Sequence, residues 1–272
     1  MKQILIGLVI LIAVNAVAEN LEPGKVLNFQ FPELPDTLYT MKNGEKVVPQ
    51  MSIRLPDNYT KDRNFPVFLF LHGNPGGKAD PAALGKLRAI MKDRDFILVN
   101  VPLFKKDIDK SEIFDGCMIS IADYPVVKKC YDTMLGKLFE TVTNTDPTKS
   151  VFGGFSNGGH ATAMLVCCED DMLLSHFRNI YIIDGGFFTL PAGLHRGTLK
   201  DKNFLLMVGD SGTPWWRQPL LKLGESMDEM AKAYKRNLTL IVMQNTEHAV
   251  PPRYEAELRA WVYKMNGDPL PQ

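Results

Sequence analysis

The stretch S-V-F-G-G-F-S-N-G-G-H-A-T-A-M-L, residues 150–165, decides how this chain is read. It opens as an apolar strand, turns through glycines around one serine, and runs on into small and apolar residues with the composition of a buried helix. Within it, Gly154-Phe155-Ser156-Asn157-Gly158 is a G-x-S-x-G pattern. A serine at so sharp a strand-to-helix corner takes a strained backbone conformation, so the residues two positions to either side must be small. Its hydroxyl then stands above the sheet edge, at the start of the next helix. A glycine-rich loop that merely contains a serine has the same composition, so the surrounding chain has to settle the matter.

Outward from the corner, apolar runs and amphipathic segments alternate. V-F-L-F-L-H-G (67–73), F-I-L-V-N-V-P (96–102), N-I-Y-I-I-D-G-G (179–186), F-L-L-M-V-G-D (204–210) and L-T-L-I-V-M-Q (238–244) are short continuous apolar runs. Such runs suit strands covered on both faces of a parallel sheet. L-N-F-Q-F (27–31) and Q-M-S-I-R (50–54) show strand-like alternation. Segments 82–94, 122–142, 157–168, 223–237 and 252–265 have helical spacing. Strand and helix alternating through most of the chain predict an α/β fold, with a mostly parallel central sheet and helices on both faces. No internal repeat, low-complexity tract or linker divides it, so residues 19–272 are expected to form a single domain. In open α/β sheets, sites form at the carboxyl ends of the strands, where Ser156, His72, Asp184, Asp210 and His248 all fall.

A serine hydroxyl is a poor nucleophile until a base removes its proton. Of the five histidines, His248 follows the apolar run 238–244 and precedes the last helix, the place from which a base reaches Ser156 across the sheet edge. His72 ends a strand and reads as structural, His160 as helix packing, and His176 and His195 carry no signal. The base in turn needs a carboxylate to hold its tautomer and steady the imidazolium. The order serine, acid, histidine is expected on this architecture, which makes Asp210 the first candidate and Asp184 the alternative, with Glu225 and Glu247 behind them. Backbone N–H groups must face the oxyanion of a tetrahedral intermediate. Asn157 supplies one, and Asn74, in the H-G-N-P-G-G turn (72–77), is the candidate for the second. Trp215 and Trp216, after the strand of Asp210, and Phe155, inside the corner, are weaker candidates for substrate contact through their aromatic faces.

Composition narrows the function classes. Lysine plus arginine, 31, equals aspartate plus glutamate, 31, and no basic tract resembles a phosphate-binding surface, which argues against nucleic acid. Lys105-Lys106 reads as a solvated pair. Met1-Lys2, the apolar run 4–14 and Ala16-Val17-Ala18 have the layout of a secretory signal with cleavage after Ala18. That run is short for a bilayer span, which takes about 20 residues, so the mature protein is expected to be secreted or periplasmic and without a membrane span. Export permits disulfides. Cys167 and Cys168 are neighbours, and one of them is expected to meet Cys117 or Cys130. No cysteine spacing resembles a zinc site, and no metal or organic cofactor is called for. Asn58-Tyr59-Thr60 and Asn237-Leu238-Thr239 match glycosylation acceptors, which matters only in a eukaryotic secretory pathway.

On I-R-L-P-D-N-Y-T-K-D-R-N-F-P-V-F-L-F-L-H-G-N-P-G-G (53–77), G-G-F-S-N-G-G-H-A-T-A-M (153–164), Asp210 at a strand end, and E-H-A-V-P (247–251), the chain resembles the α/β-hydrolase superfamily. More narrowly, it resembles secreted esterases of the feruloyl esterase, acetylxylan esterase, esterase D and polyhydroxybutyrate depolymerase group. The resemblance spans nearly all of the chain after the leader. It implies an α/β-hydrolase fold and a serine carboxylic ester hydrolase acting on small-molecule or carbohydrate-linked esters through Ser156, His248 and an aspartate. Members of that group carry the acid about three residues beyond the strand-end glycine. Here Gly212 stands at that place and Asp210 directly follows Gly209, so either the loop shifts or Asp184 serves. A serine peptidase of the prolyl oligopeptidase type shares these motifs but carries a large gating domain for which this chain has no room. A non-catalytic binding protein on a hydrolase scaffold is the remaining alternative.

Overall fold

The computed structural model describes residues 20–35, 48–71, 73, 82–92, 95–104, 119–186, 190–212 and 214–269. Its strands are β1 (Val26–Gln30), β2 (Gln50–Arg54), β3 (Val67–Leu71), β4 (Ile97–Val101), β5 (Val151–Phe155), β6 (Asn179–Ile183), β7 (Asn203–Gly209) and β8 (Asn237–Met243). They form one sheet in the order β1-β2-β4-β3-β5-β6-β7-β8. Strands β1 and β2 pair antiparallel, as do β2 and β4; every pairing from β4 through β8 is parallel. The expected mostly parallel sheet is therefore present, with its antiparallel part at one edge.

The helices are α1 (Ala82–Met91), α2 (Tyr124–Thr141), α3 (Asn157–Cys167), α4 (Asp171–His176), α5 (Pro191–Leu194), α6 (Pro214–Ala233) and α7 (Pro252–Met265). Proline at the first turn marks the starts of α2 and α7, where its missing N–H costs nothing. Two short helices, α4 and α5, escape the periodicity because each is too short to complete an amphipathic repeat. Helix α6 begins at Pro214 rather than near residue 223, so Trp215 and Trp216 belong to its first turn.

The continuous apolar strands serve two cores. Along β7, Phe204, Leu206 and Val208 face the core shared with α2, α3 and α6, while Leu205 and Met207 face the core of α1 and α7. Every residue of α3 is buried, which accounts for its Gly-Gly-His-Ala-Thr-Ala composition: a helix covered by α2, α4 and α5 has no solvent face to supply with charge. An asparagine ladder sets the register at the far end of the sheet. Asn179, Asn203 and Asn237 are cross-strand partners at the first positions of β6, β7 and β8. The Asn237 amide donates to Asn203 Oδ1 at 2.6 Å and the Asn203 amide to Asn179 Oδ1 at 2.7 Å.

Among the described residues no disulfide joins Cys167 or Cys168 to Cys130. Cys130, Cys167 and Cys168 are thiols, and Cys117 lies outside the described residues. Cys130 is packed into the core on α2, and Cys167 Sγ lies 3.7 Å from the carbonyl of Leu190, turned toward α5. Loss of hydration pushes the Cys130 thiol up to about 11 and the Cys167 thiol up to about 12. Residues 1–18, expected to be a leader, and Lys105-Lys106 also lie outside the described residues. Among the described residues no helix is long and apolar enough to cross a membrane.

Candidate active site

Strand β5 ends at Phe155 and α3 begins at Asn157, so Ser156 is the corner itself. Its backbone has φ 56° and ψ −121°, a conformation that side chains rarely adopt. Two contacts hold it there: the Ser156 N–H donates to the carbonyl of Ile183 at 2.9 Å, and the Ser156 carbonyl accepts from His160 N–H at 3.1 Å. The small residues that the motif demands have a visible reason. A side chain on Gly154 would run into the backbone of Gly158, starting 2.6 Å from its oxygen. The β3 turn passes just as close, since a Cβ on Gly73 would lie 2.7 Å from Ser156 Cβ.

His248 lies beyond β8, and its two ring nitrogens bridge the corner to the neighbouring strand end. Nε2 is 2.8 Å from Ser156 Oγ, and Nδ1 is 2.9 Å from Asp184 Oδ2. A carboxylate only accepts, so Nδ1 carries the proton and Nε2 presents a lone pair to the serine hydroxyl. Asp184 is buried, with its other oxygen accepting the Gly209 N–H at 3.0 Å. It too sits in left-handed backbone, at φ 50°, which swings its side chain out of the β6 line toward His248. The ring of Phe155 lies against that of His248, with centroids 4.6 Å apart and planes 30° apart. Phe155, expected as a pocket wall, therefore backs the His248 ring.

Asp210, the first candidate for the acid, is not at His248. Strand β6 is the direct neighbour of β5, whereas β7 lies one strand further from the serine. The Asp210 carboxylate turns instead to the loop that carries the base, accepting Thr246 N–H at 3.2 Å and the Ser211 hydroxyl at 2.9 Å. Lost hydration raises its carboxyl, but these bonds and the Asn245 amide outweigh that and hold it below the usual carboxylate range. Asp210 thus fixes the loop of His248, and Asp184 faces the ring. Glu225 and Glu247 are exposed, and neither meets His248.

Asn157 is the first residue of α3, where amides have no acceptor inside the helix. Asn74 and His72 lie outside the described residues, as do the side chains of Trp215 and Trp216. His176 stacks on Phe139, with centroids 3.7 Å apart, and His195 lies near Tyr234; both are far along the chain from the corner. His160, read as packing, has a specific partner: its Nδ1 accepts the Gly186 N–H at 3.1 Å. Among the described residues no cluster of histidine, cysteine and carboxylate side chains could hold a metal ion. A separate depression of about 250 Å³, lined by Arg54, Asp57, Arg88 and Asp95, opens at the opposite end of the sheet. There Arg54 and Arg88 both pair with Asp57.

No family model matches the chain, and no curated protein matches its sequence. Solved structures do match in fold. An S-formylglutathione hydrolase from Agrobacterium tumefaciens has a TM-score of 0.58 at 13% identity, covering 89% of this chain and 95% of its own. A ferulic acid esterase has a TM-score of 0.56 at 13% identity, covering 90% and 99%. A Bacteroides ovatus ATCC 8483 protein assigned as a dipeptidyl aminopeptidase IV has a TM-score of 0.55 at 11% identity. The match covers 92% of this chain but only 37% of that one, so this chain spans little more than a third of its length. The sheet order and the agreement with these structures give the chain the α/β-hydrolase fold.

Proposed function

We propose that this protein is an exported serine carboxylic ester hydrolase that works through Ser156, His248 and Asp184. The observation that carries the reading is the continuous hydrogen-bonded chain from Ser156 Oγ through His248 to the buried Asp184, at 2.8 and 2.9 Å, on a strained strand-to-helix corner. Strain of this kind persists only where the surrounding structure enforces it, and it sets the hydroxyl, the base and the Asn157 amide around one point.

The reaction follows in two steps. Ser156 Oγ attacks the ester carbonyl carbon while His248 Nε2 takes its proton, and Asp184 stabilises the imidazolium so formed. The oxyanion accepts from the Asn157 N–H, with Asn74 as the second donor. His248 then protonates the leaving alcohol as the tetrahedral intermediate collapses to an acyl-serine. A water gives its proton to His248 and attacks the acyl carbon; as this second tetrahedral intermediate collapses, His248 returns the proton to Ser156 Oγ and the acid is released. Three side chains, the backbone amides and one water carry these steps. Carbohydrate-linked esters are the proposed substrate class, supported by the motif resemblance, the secretory leader and the structural match to a ferulic acid esterase.

The test is hydrolysis of p-nitrophenyl acetate and labelling by a fluorophosphonate, with wild type beside Ser156→Ala. Wild type is expected to turn over and to label, and the variant to lose label and roughly 10⁴-fold or more of its rate. A wild type inert to both sinks the reading in favour of a binding protein on a hydrolase scaffold. Faster turnover of dipeptide p-nitroanilides than of any ester replaces it with a peptidase. N-terminal sequencing of the expressed protein tests the leader: a start at Glu19 supports export, and an intact Met1 in a secreting host counts against it.

A further inference from the structure

We infer that His160 is a positioning residue for this site, holding the Asp184 segment against the nucleophile corner through the Gly186 amide. The inference rests on the roles proposed above for Ser156, His248 and Asp184.

Residues 183–186 leave β6 and cross the first turn of α3. Asp184 is the second of these four, and both ends of the segment are tied to that turn. At one end the Ile183 carbonyl accepts the Ser156 N–H at 2.9 Å. At the other the Gly186 N–H donates to His160 Nδ1 at 3.1 Å. Between them Gly185 leaves no room for any side chain, since a Cβ there would overlap the Ser156 carbonyl. His160 is itself one helical turn beyond Ser156, its N–H donating to that carbonyl. The nucleophile and the acid are thus carried on two backbone segments clamped together, with one clamp supplied by a side chain.

The chemistry of the clamp is specific. A backbone amide can only donate, so His160 Nδ1 must present its lone pair and the ring proton must sit on Nε2. The ring is nine-tenths buried and stays in place with the helix. Without an acceptor there, the Gly186 amide is left unbonded in the interior, and the segment gains freedom to move. Asp184, two residues away and already in left-handed backbone, then loses its setting against His248. Displacements of about 1 Å from remote changes lower rates by up to roughly 10²-fold.

Steady-state ester hydrolysis of His160→Leu, His160→Asn and His160→Gln, each alone and on the Asp184→Asn background, tests this. The Oδ1 of Asn reaches the place of Nδ1, whereas the Oε1 of Gln reaches that of Nε2. His160→Leu and His160→Gln are expected to lose roughly 10- to 100-fold in kcat with KM little changed, and His160→Asn to stay within about 3-fold of wild type. On the Asp184→Asn background the loss at position 160 should shrink to less than about 3-fold, because residues acting through one another are not additive. Equal losses on both backgrounds, or Asn no better than Gln, overturn the inference while leaving the ester hydrolase reading intact. Should His160→Leu not fold, the contrast of Asn with Gln decides alone. A wild type that neither hydrolyses ester nor labels at Ser156 overturns both.

Discussion

Replacing Asp184 by Asn, with the same change at Asp210 as its counterpart, separates the two aspartates on physical grounds. Asp184 accepts two bonds, from Gly209 N–H at one oxygen and from His248 Nδ1–H at the other. Asparagine has one acceptor and one donor to offer. With its oxygen kept on Gly209, its amide faces Nδ1, which must then give up its proton. That proton moves to Nε2, which can no longer take one from Ser156. With its oxygen turned to His248, two donors confront each other at Gly209. Either arrangement costs about 2–3 kcal/mol. The lost charge adds to this. A carboxylate and an imidazolium about 4 Å apart attract by about 4 kcal/mol at an effective dielectric near 20. The His248 side chain is 39% exposed, and halving the attraction for solvent leaves about 2 kcal/mol. Together these give about 4–5 kcal/mol, a fall in kcat of roughly 10³- to 10⁴-fold. Asp210 meets only donors, Thr246 N–H and the Ser211 hydroxyl at Oδ1 and the Asn245 amide besides; an asparagine oxygen kept at the place of Oδ1 accepts from the first two, so Asp210→Asn should stay within about 3-fold of wild type. Initial rates on p-nitrophenyl acetate, normalised to circular dichroism of the folded fraction, check both numbers. A collapse at 210 with survival at 184 would refute the assignment of the acid to β6.

Three further outcomes follow from the same contacts. Gly185→Ala places a methyl group in the Ser156 carbonyl and should destabilise the fold by more than about 2 kcal/mol, read as a lower urea midpoint, with ester hydrolysis lost. Asn203→Ala removes the middle of the asparagine ladder and strands the Asn237 amide and Asn179 Oδ1. The expected cost is about 1–3 kcal/mol, with kcat unchanged because the ladder lies at the opposite strand ends from Ser156. The raised thiols of Cys130 and Cys167 keep almost no thiolate at neutral pH, and the thiolate is the nucleophile. Iodoacetamide should leave both unmodified in the native protein at pH 7 and modify both in urea, as read by peptide mass spectrometry. Rapid native alkylation of either would contradict their placement.

Much of this protein is written in local sequence. The run of residues 150–165 specifies strand, corner and helix without reference to anything distant, because the constraint is steric: a side chain at 154 would overlap the backbone of Gly158. Continuous apolar runs identify the parallel strands because each is covered on both faces. His248 is legible as well, since the last strand end is the place from which a base spans to the corner. The acid was not legible. Asp184 and Asp210 both end apolar runs, and nothing local tells which strand lies beside β5 or that Asp184 takes left-handed backbone while Asp210 turns to an amide. His160 was missed for the same reason: its role depends on Gly186, 26 residues away, and a buried histidine in a small-residue helix looks like packing until its partner is seen. Sequence alone thus pointed to Ser156 and His248, the proposed nucleophile and base, and determined the layered fold, through short-range sterics and burial. Only the tertiary structure set Asp184 rather than Asp210 against His248 and gave His160 a bond, because strand adjacency and the direction of a side chain are properties of chain segments brought together from far apart.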